Sequence, residues 1–275
     1  MAYDPGEVIR LRNADRKLVD YRDTADTEHM RREIHQINEA LRATRIDVTG
    51  YPVIHEIVHF EDVQFPLPQK LYHRSFMHSF SLGGRIYGPF WQWAPSQARE
   101  FLTINDEGTD DRDWRHFHPT LLYAQANATL RGDAYDVAGF SREDAKRAFA
   151  ILINARCKRD ALSAIREHLG LERGVGERAR ALYEGIKQRH APIASWFASN
   201  VGVRLQRLDG DLIVRVHLRL LHEGVCALSV HDSVIGNVLA LKVGLSLSGC
   251  GHGKVASANQ GGVGPPPTRQ VHPSE

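Results

Sequence analysis

The most restrictive feature of this sequence lies near residue 230. An apolar run over residues 225–230 meets the polar triplet His231-Asp232-Ser233, and a second apolar run follows over residues 234–243. Strand, polar turn, strand is the reading, which puts a carboxylate at a hairpin tip. The triplet invites a hydrolytic triad, but adjacent residues on a tight turn point in different directions. A second carboxylate, Asp113, is expected to end a short strand after the acidic loop of residues 104–113. Two carboxylates at strand ends suit Mg²⁺, which takes carboxylate oxygens and substrate phosphates.

Other elements follow from periodicity. Met30, Ile34, Ile37 and Leu41 recur at helical spacing, so a helix is expected over residues 26–43 with Thr27 as a cap. Residues 50–68 are rich in β-branched and aromatic side chains and read as extended. Residues 76–95, with Gly83-Gly84 and Gly88-Pro89, read as a hairpin. Pro119 is expected at the first position of a helix reaching about residue 130. Ser141 is a good N-cap for an amphipathic helix. Ala145, Ala148, Phe149, Leu152 and Ile153 form its apolar arc, and Arg142, Lys146, Arg147, Asn154 and Lys158 the polar one. Residues 175–199 hold one or two more helices. Residues 203–222 fit both a helix and a strand. Residues 1–25 read as loosely docked and residues 244–275 as a disordered Gly/Ser/Pro-rich tail.

Charge is informative by its placement. The formal net charge is +2, yet residues 1–140 carry −5 and residues 141–222 carry +7. Arg supplies 28 of the 35 cations, and Arg is suited to bidentate recognition of phosphate. Cys157, Cys226 and Cys250 are scattered singly, which excludes a disulfide framework and a Cys-rich zinc site. No apolar run spans a bilayer and no signal peptide is visible, so a cytoplasmic protein without a membrane partner is expected.

One sharp pattern points elsewhere. His55-Glu56-Ile57-Val58-His59 matches the zinc-peptidase signature, which needs a helix to bring both histidines to one metal. Pro52 and the β-branched neighbours favour a strand instead. In a strand the two histidines would lie about 13 Å apart, too far for one zinc ion.

Asp113, the basic helix from Arg142 and His231-Asp232-Ser233, taken in order, resemble motifs A, B and C of family A polymerases. That family contains bacterial DNA polymerase I and the phage-type single-subunit RNA polymerases. Asp113-Trp114-Arg115-His116-Phe117-His118-Pro119 is similar to motif A, a strand ending in a metal-binding Asp and followed by a helix. Arg142, Lys146 and Arg147 stand at the spacing of motif B in the phage-type enzymes. His231-Asp232-Ser233 resembles motif C as the RNA enzymes carry it. The segment from Gly83-Gly84-Arg85 to Trp91-Gln92 is similar to the approach to motif A in compact phage- or mobile-element-like relatives. The resemblance covers residues 76–240.

The resemblance implies an α+β fold, an antiparallel-sheet palm with helical fingers, incomplete in this chain. Residues 1–75 would be an N-terminal helical or extended region, 76–243 the palm and fingers, and 244–275 the tail. It implies a template-directed nucleotidyltransferase with two Mg²⁺ ions on Asp113 and Asp232. Lys146 would meet the incoming nucleoside triphosphate, with Arg142 and Arg147 on phosphates nearby. Asn154 falls where the phage-type enzymes select the sugar. His231 and Ser233 would lie at the primer and template, and residues 203–222 would be the helix behind motif C. Four departures stand out. His118 replaces the Glu that excludes a 2′-hydroxyl. Arg115 and His116 are bulky cations that would compete with metal for Asp113. No thumb or exonuclease is visible. No patterned palm strand and helix follow residue 243, as in a truncated or inactive copy. A non-catalytic, polymerase-derived nucleic-acid binder is therefore the alternative, and a zinc metallopeptidase the more distant one.

Overall fold

The computed structural model describes residues 6–170 and 176–237. They form two compact units, one from residues 6–115 and 206–237, the other from residues 116–170 and 176–205. The expected tail over residues 244–275 and the strand beyond Asn237 lie outside the described residues.

The first unit begins with β1 (Ile9–Arg12) and β2 (Leu18–Val19), so residues 1–25, expected to be loosely docked, supply two strands. Helix α1 (Ala25–Ala43) buries Met30, Ile34, Ile37 and Leu41. Its cap is Thr24 rather than the expected Thr27. Thr27 sits three residues in and accepts from the Thr24 N–H at 2.8 Å, closing a capping box. Strands β3 (Ile46–Val48), β4 (Val53–Ile54), β5 (Ile57–Phe60) and β6 (Val63–Pro66) follow. Then come β7 (His73–Met77), β8 (Ser79–Tyr87), a 3-10 turn over Phe90–Gln92, the short α2 (Ser96–Arg99), β9 (Leu102–Ile104) and β10 (Glu107–Asp113).

The second unit is helical, with α3 (Phe117–Gln125), α4 (Arg142–Asn154), α5 (Lys158–His168) and α6 (Glu177–Arg189) followed by a 3-10 segment, Ala191–Trp196. Pro119 is the third residue of α3, not the first, and stays within the turn where its missing N–H costs nothing. Helix α4 stops at Asn154, so Lys158 opens α5 instead of extending the α4 polar face. Helix α7 (Gly202–His222) resolves the ambiguous stretch as helix. The hairpin β11 (Leu228–Val230) and β12 (Ser233–Asn237) follows.

The architecture is mixed α and β with largely antiparallel sheets. The central sheet has the order β11-β12-β10-β9-β3 and every pairing in it is antiparallel. A second sheet, β2-β1-β7-β8, pairs β1 with β7 in parallel, and residue 75 lies inside β7. The division after residue 75 that the resemblance implies thus falls within β7 of this sheet. The hairpin expected over residues 76–95 is β7–β8 and turns earlier, at His78. Gly83 and Gly84 sit inside β8 with φ +75° and +92°, beside a register shift against Phe76. They shape a bulge, not the turn. Two separate apolar cores form, one around Tyr72, Phe76, Phe90 and Trp91, the other around Leu122, Phe149, Leu152 and Leu182.

Each core also buries a neutral histidine. His217 packs edge-on against Tyr72, and burial lowers its pKa to about 4. His190 lies between the Tyr123 hydroxyl and the Ala134 carbonyl, and burial lowers its pKa to about 4 as well. A histidine depressed in the fold contributes stability above its unfolded pKa, near 6.5, and loses that contribution as pH falls toward 4. The expected cost between pH 7 and pH 5 is about 2 kcal/mol per histidine. Urea titrations at the two pH values read it, and His217→Leu should remove the His217 share while leaving that of His73 in β7, whose pKa burial also lowers to about 4. Equal stability at pH 7 and pH 5 would contradict this assignment.

Candidate functional site

The site in the first unit is built by register. Asp113 is the last residue of β10 and stands directly opposite Ser233, the first residue of β12. Val230 pairs with Ser233 across the hairpin, so His231 and Asp232 alone make the two-residue turn. Opposed residues in an antiparallel pair have Cα atoms roughly 4.5–5.5 Å apart. Asp232 is the next residue along the chain from the partner of Asp113. Both carboxylate positions therefore reach the same end of the central sheet, with Asp113 exposed and Asp232 half-buried. His231 takes the turn with φ +55°, a conformation histidine tolerates better than β-branched residues do. Ser233 closes the turn by donating from Oγ to the Val230 carbonyl at 3.2 Å.

Buried polar groups fix this hairpin from behind. The Ser229 N–H donates to the Tyr72 hydroxyl at 2.8 Å, and Trp91 Nε1 donates to the same oxygen at 3.2 Å. Burial pushes the Tyr72 phenol up to about 12, so it stays protonated. Gln92 Nε2 donates to the Ser229 carbonyl at 3.3 Å and to the Ile86 carbonyl at 3.1 Å. The aromatic segment ending in Trp91-Gln92 is therefore the buttress of β11.

Helix α7 adds an ionic layer that composition did not reveal. Arg85 Nε donates to the fully buried Asp209, and buried Arg74 donates to Asp211 at 2.8 Å and to the Gly84 carbonyl at 2.8 Å. Between the two acids Gly210 rests on the Gly84 backbone. His231 senses this layer. Its pKa is lowered first by desolvation and then by Arg85, with Asp232 and Asp209 opposing and Arg99 adding a smaller lowering. Burial thus favours the neutral imidazole. The sequence signal for the layer was the triplet Asp209-Gly210-Asp211 in an otherwise apolar and basic helix, which periodicity alone did not single out.

In the second unit Ser141 caps α4, accepting from the Asp144 N–H at 3.0 Å. Ala145, Ala148, Phe149, Leu152 and Ile153 are buried as expected, which leaves Lys146 and Arg147 exposed. Arg142 is engaged. Its Nε meets Asp133 at 2.6 Å, its Nη2 lies 3.3 Å from His116 Nε2, and its guanidinium stacks 5.2 Å from the Tyr135 ring centre. The Arg142 hydrogen bond, with help from the Tyr135 N–H, lowers the Asp133 pKa to about 2. His116 Nε2 lies 3.0 Å from Asp133, so that acid, absent from the sequence reading, organises both side chains. Asn154 ends α4 and donates back to the Ala150 carbonyl at 2.8 Å. It lies about 12 Å along the helix from Lys146 at 1.5 Å per residue.

The zinc-peptidase pattern does not build its site. His55 and Glu56 are the turn of the β4–β5 hairpin, with φ +52° and +63°, while His59 lies within β5. No helix brings the two histidines to one face. Among the described residues no group of three His, Cys, Asp or Glu converges as a metal-ligand set. Cys157 and Cys226 are free thiols, and no described helix is long and apolar enough to cross a membrane. No protein-family model matches the chain, and no curated protein or solved structure matches it either.

Proposed function

We propose that this chain is a template-directed nucleotidyltransferase of the family A polymerase kind, with Asp113 and Asp232 as its metal-binding carboxylates. The observation that carries this reading is the register of β10 on β12, which sets Asp113 opposite Ser233 beside the His231-Asp232 turn. Two carboxylates fit Mg²⁺, which keeps several waters and completes its shell with substrate phosphates. Two such ions, when bound, would stabilise the attacking and leaving oxygens of an in-line phosphoryl displacement. The chain's own residues do the positioning. Lys146 and Arg147 offer exposed charge to a triphosphate, and Asp133 holds Arg142 in a fixed orientation for the same task. His231, at the turn beside Asp232, is placed to hydrogen-bond a primer terminus. Ser233 shapes the turn, and Asn154 is the sugar-facing residue.

Single-nucleotide incorporation on an annealed, end-labelled primer tests the proposal. Each dNTP and each NTP is offered alone with Mg²⁺. The expected result is addition of the complementary base only, lost on chelation. Addition that ignores the template base, or no addition with either sugar, would overturn it. The excess of cations over residues 141–222 favours one second reading, a nucleic-acid binder without catalysis. Salt-sensitive binding without incorporation would distinguish it.

A further inference from the structure

A basic groove lies on the second unit between α5 and α6. It has a volume of about 310 Å³ and is lined by Arg159, Leu162, Ser163, Arg166, Ala179 and Arg180. Arg159, Ser163 and Arg166 fall at helical spacings of four and three, so one face of α5 presents them together. Arg180 faces them from α6. Leu162 and buried Ala179 line the groove between the cations.

Of the acids on these two helices, Asp160, Glu167, Glu177 and Glu184, only Asp160 makes an ion pair with a groove cation among the described residues. Glu184, one turn beyond Arg180, is drawn to Lys158 at 2.8 Å. Asp144 is taken by His168 at 3.1 Å. Arg159 lies 3.7 Å from Asp160 with a side chain 92% exposed, a pair of little energetic weight. Neither Arg166 nor Arg180 makes an ion pair within 4.0 Å among the described residues. Three guanidinium groups around one small groove repel each other unless an anion lies between them.

We infer that this groove binds the phosphodiester backbone of a nucleic-acid strand, at a site separate from the α4 triphosphate residues. The inference rests on the nucleic-acid reading of the chain and extends it to a second surface. Guanidinium groups suit phosphate oxygens in bidentate geometry, and the Ser163 hydroxyl adds a donor. No aromatic ring lines the groove among the described residues. Binding there is therefore backbone-directed and independent of base sequence.

The test is fluorescence anisotropy of a labelled 20-nucleotide oligothymidylate, without nucleotides, across a salt series. The triple variant Arg159→Ala/Arg166→Ala/Arg180→Ala should lose about 2 units of the log–log salt slope, at about 0.7 per phosphate contact on single strands. Its affinity at 0.1 M salt should fall at least about 10-fold. The matching triple Lys variant should keep most of the slope, which separates lost charge from lost fold. Arg22→Ala/Arg32→Ala/Arg42→Ala removes the same charge from exposed positions of the first unit and should change the slope by less than about 0.5.

An unchanged slope in the first variant, an equal loss in the distant control, or no binding by the wild type would each overturn the groove. Inorganic tripolyphosphate binding that is lost in the first variant while the oligonucleotide slope stays unchanged would also overturn it, in favour of a small-anion site. The two proposals fail separately. Extension with an unchanged slope removes only the groove, and a lost slope without extension removes only the catalytic reading.

Discussion

Gly210→Ala should destabilise the first unit by about 3 kcal/mol or more. In an exposed helix the same change stabilises by about 1 kcal/mol, because alanine is the better helix former. The sign reverses here because a Cβ at position 210 would overlap the Gly84 carbonyl oxygen and come within 2.7 Å of its carbon and 3.1 Å of the Arg85 nitrogen. These are backbone atoms of β8, which cannot swing aside as a side-chain tip can. Gly84 is itself at φ +92° with the Phe76 ring 2.7 Å from where its own Cβ would stand. Helix and strand therefore meet glycine to glycine. That close approach lets Asp209 reach Arg85 and Asp211 reach Arg74 on either side of the contact. Pushing the helix out would strain both pairs, and breaking a buried pair is costly because it leaves a charge uncompensated. Urea unfolding measures the effect as a lowered midpoint at constant slope. Gly108→Ala is the control. Nothing lies within 4 Å of a Cβ there, and its change should stay within about 0.5 kcal/mol. A Gly210→Ala protein as stable as the parent would contradict the close contact.

Local signals made much of the scaffold legible. The apolar arc of α4 and its Ser141 cap depend on one helix alone, and both stand where periodicity put them. The turn at His231-Asp232 is set by two apolar runs around a polar triplet, and the strand end at Asp113 by the acidic stretch before it. What escaped depended on partners far along the chain. Strand β1 pairs with β7, more than sixty residues on, so its polar composition gave no hint of a sheet. The tandem glycines 83 and 84 suggest a turn by type, but they sit where α7 presses on β8. Asp133 has nothing unusual about its neighbours in sequence, and its role comes from Arg142 and His116 brought to it by folding. Residues 203–222 alternate like a strand over their last third, yet a long amphipathic helix buries Leu205, Asp209, Ile213, His217 and Leu220 at its own spacing. Tertiary burial of that stripe overrides the local alternation.

Loss of either carboxylate should affect activity more than loss of any other side chain. A metal ion that polarises a phosphoryl oxygen supplies several kcal/mol of transition-state stabilisation, and each 1.36 kcal/mol is tenfold in rate. Asp113→Ala and Asp232→Ala should each lower primer extension by about 10³-fold or more. Stability should barely respond, because Asp113 is exposed at a strand end and Asp232 is half-buried in a turn. Residues that act as one unit are non-additive, so the double variant should be little worse than either single one. Two independent sites would instead multiply their losses.

Primer extension in Mg²⁺ by the parent, Asp113→Ala, Asp232→Ala and the double variant, run side by side, tests the shared site most directly. The register of β10 on β12 predicts a loss of about 10³-fold in each single variant and little further loss in the double one. Extension at the parental rate by either single variant would contradict it.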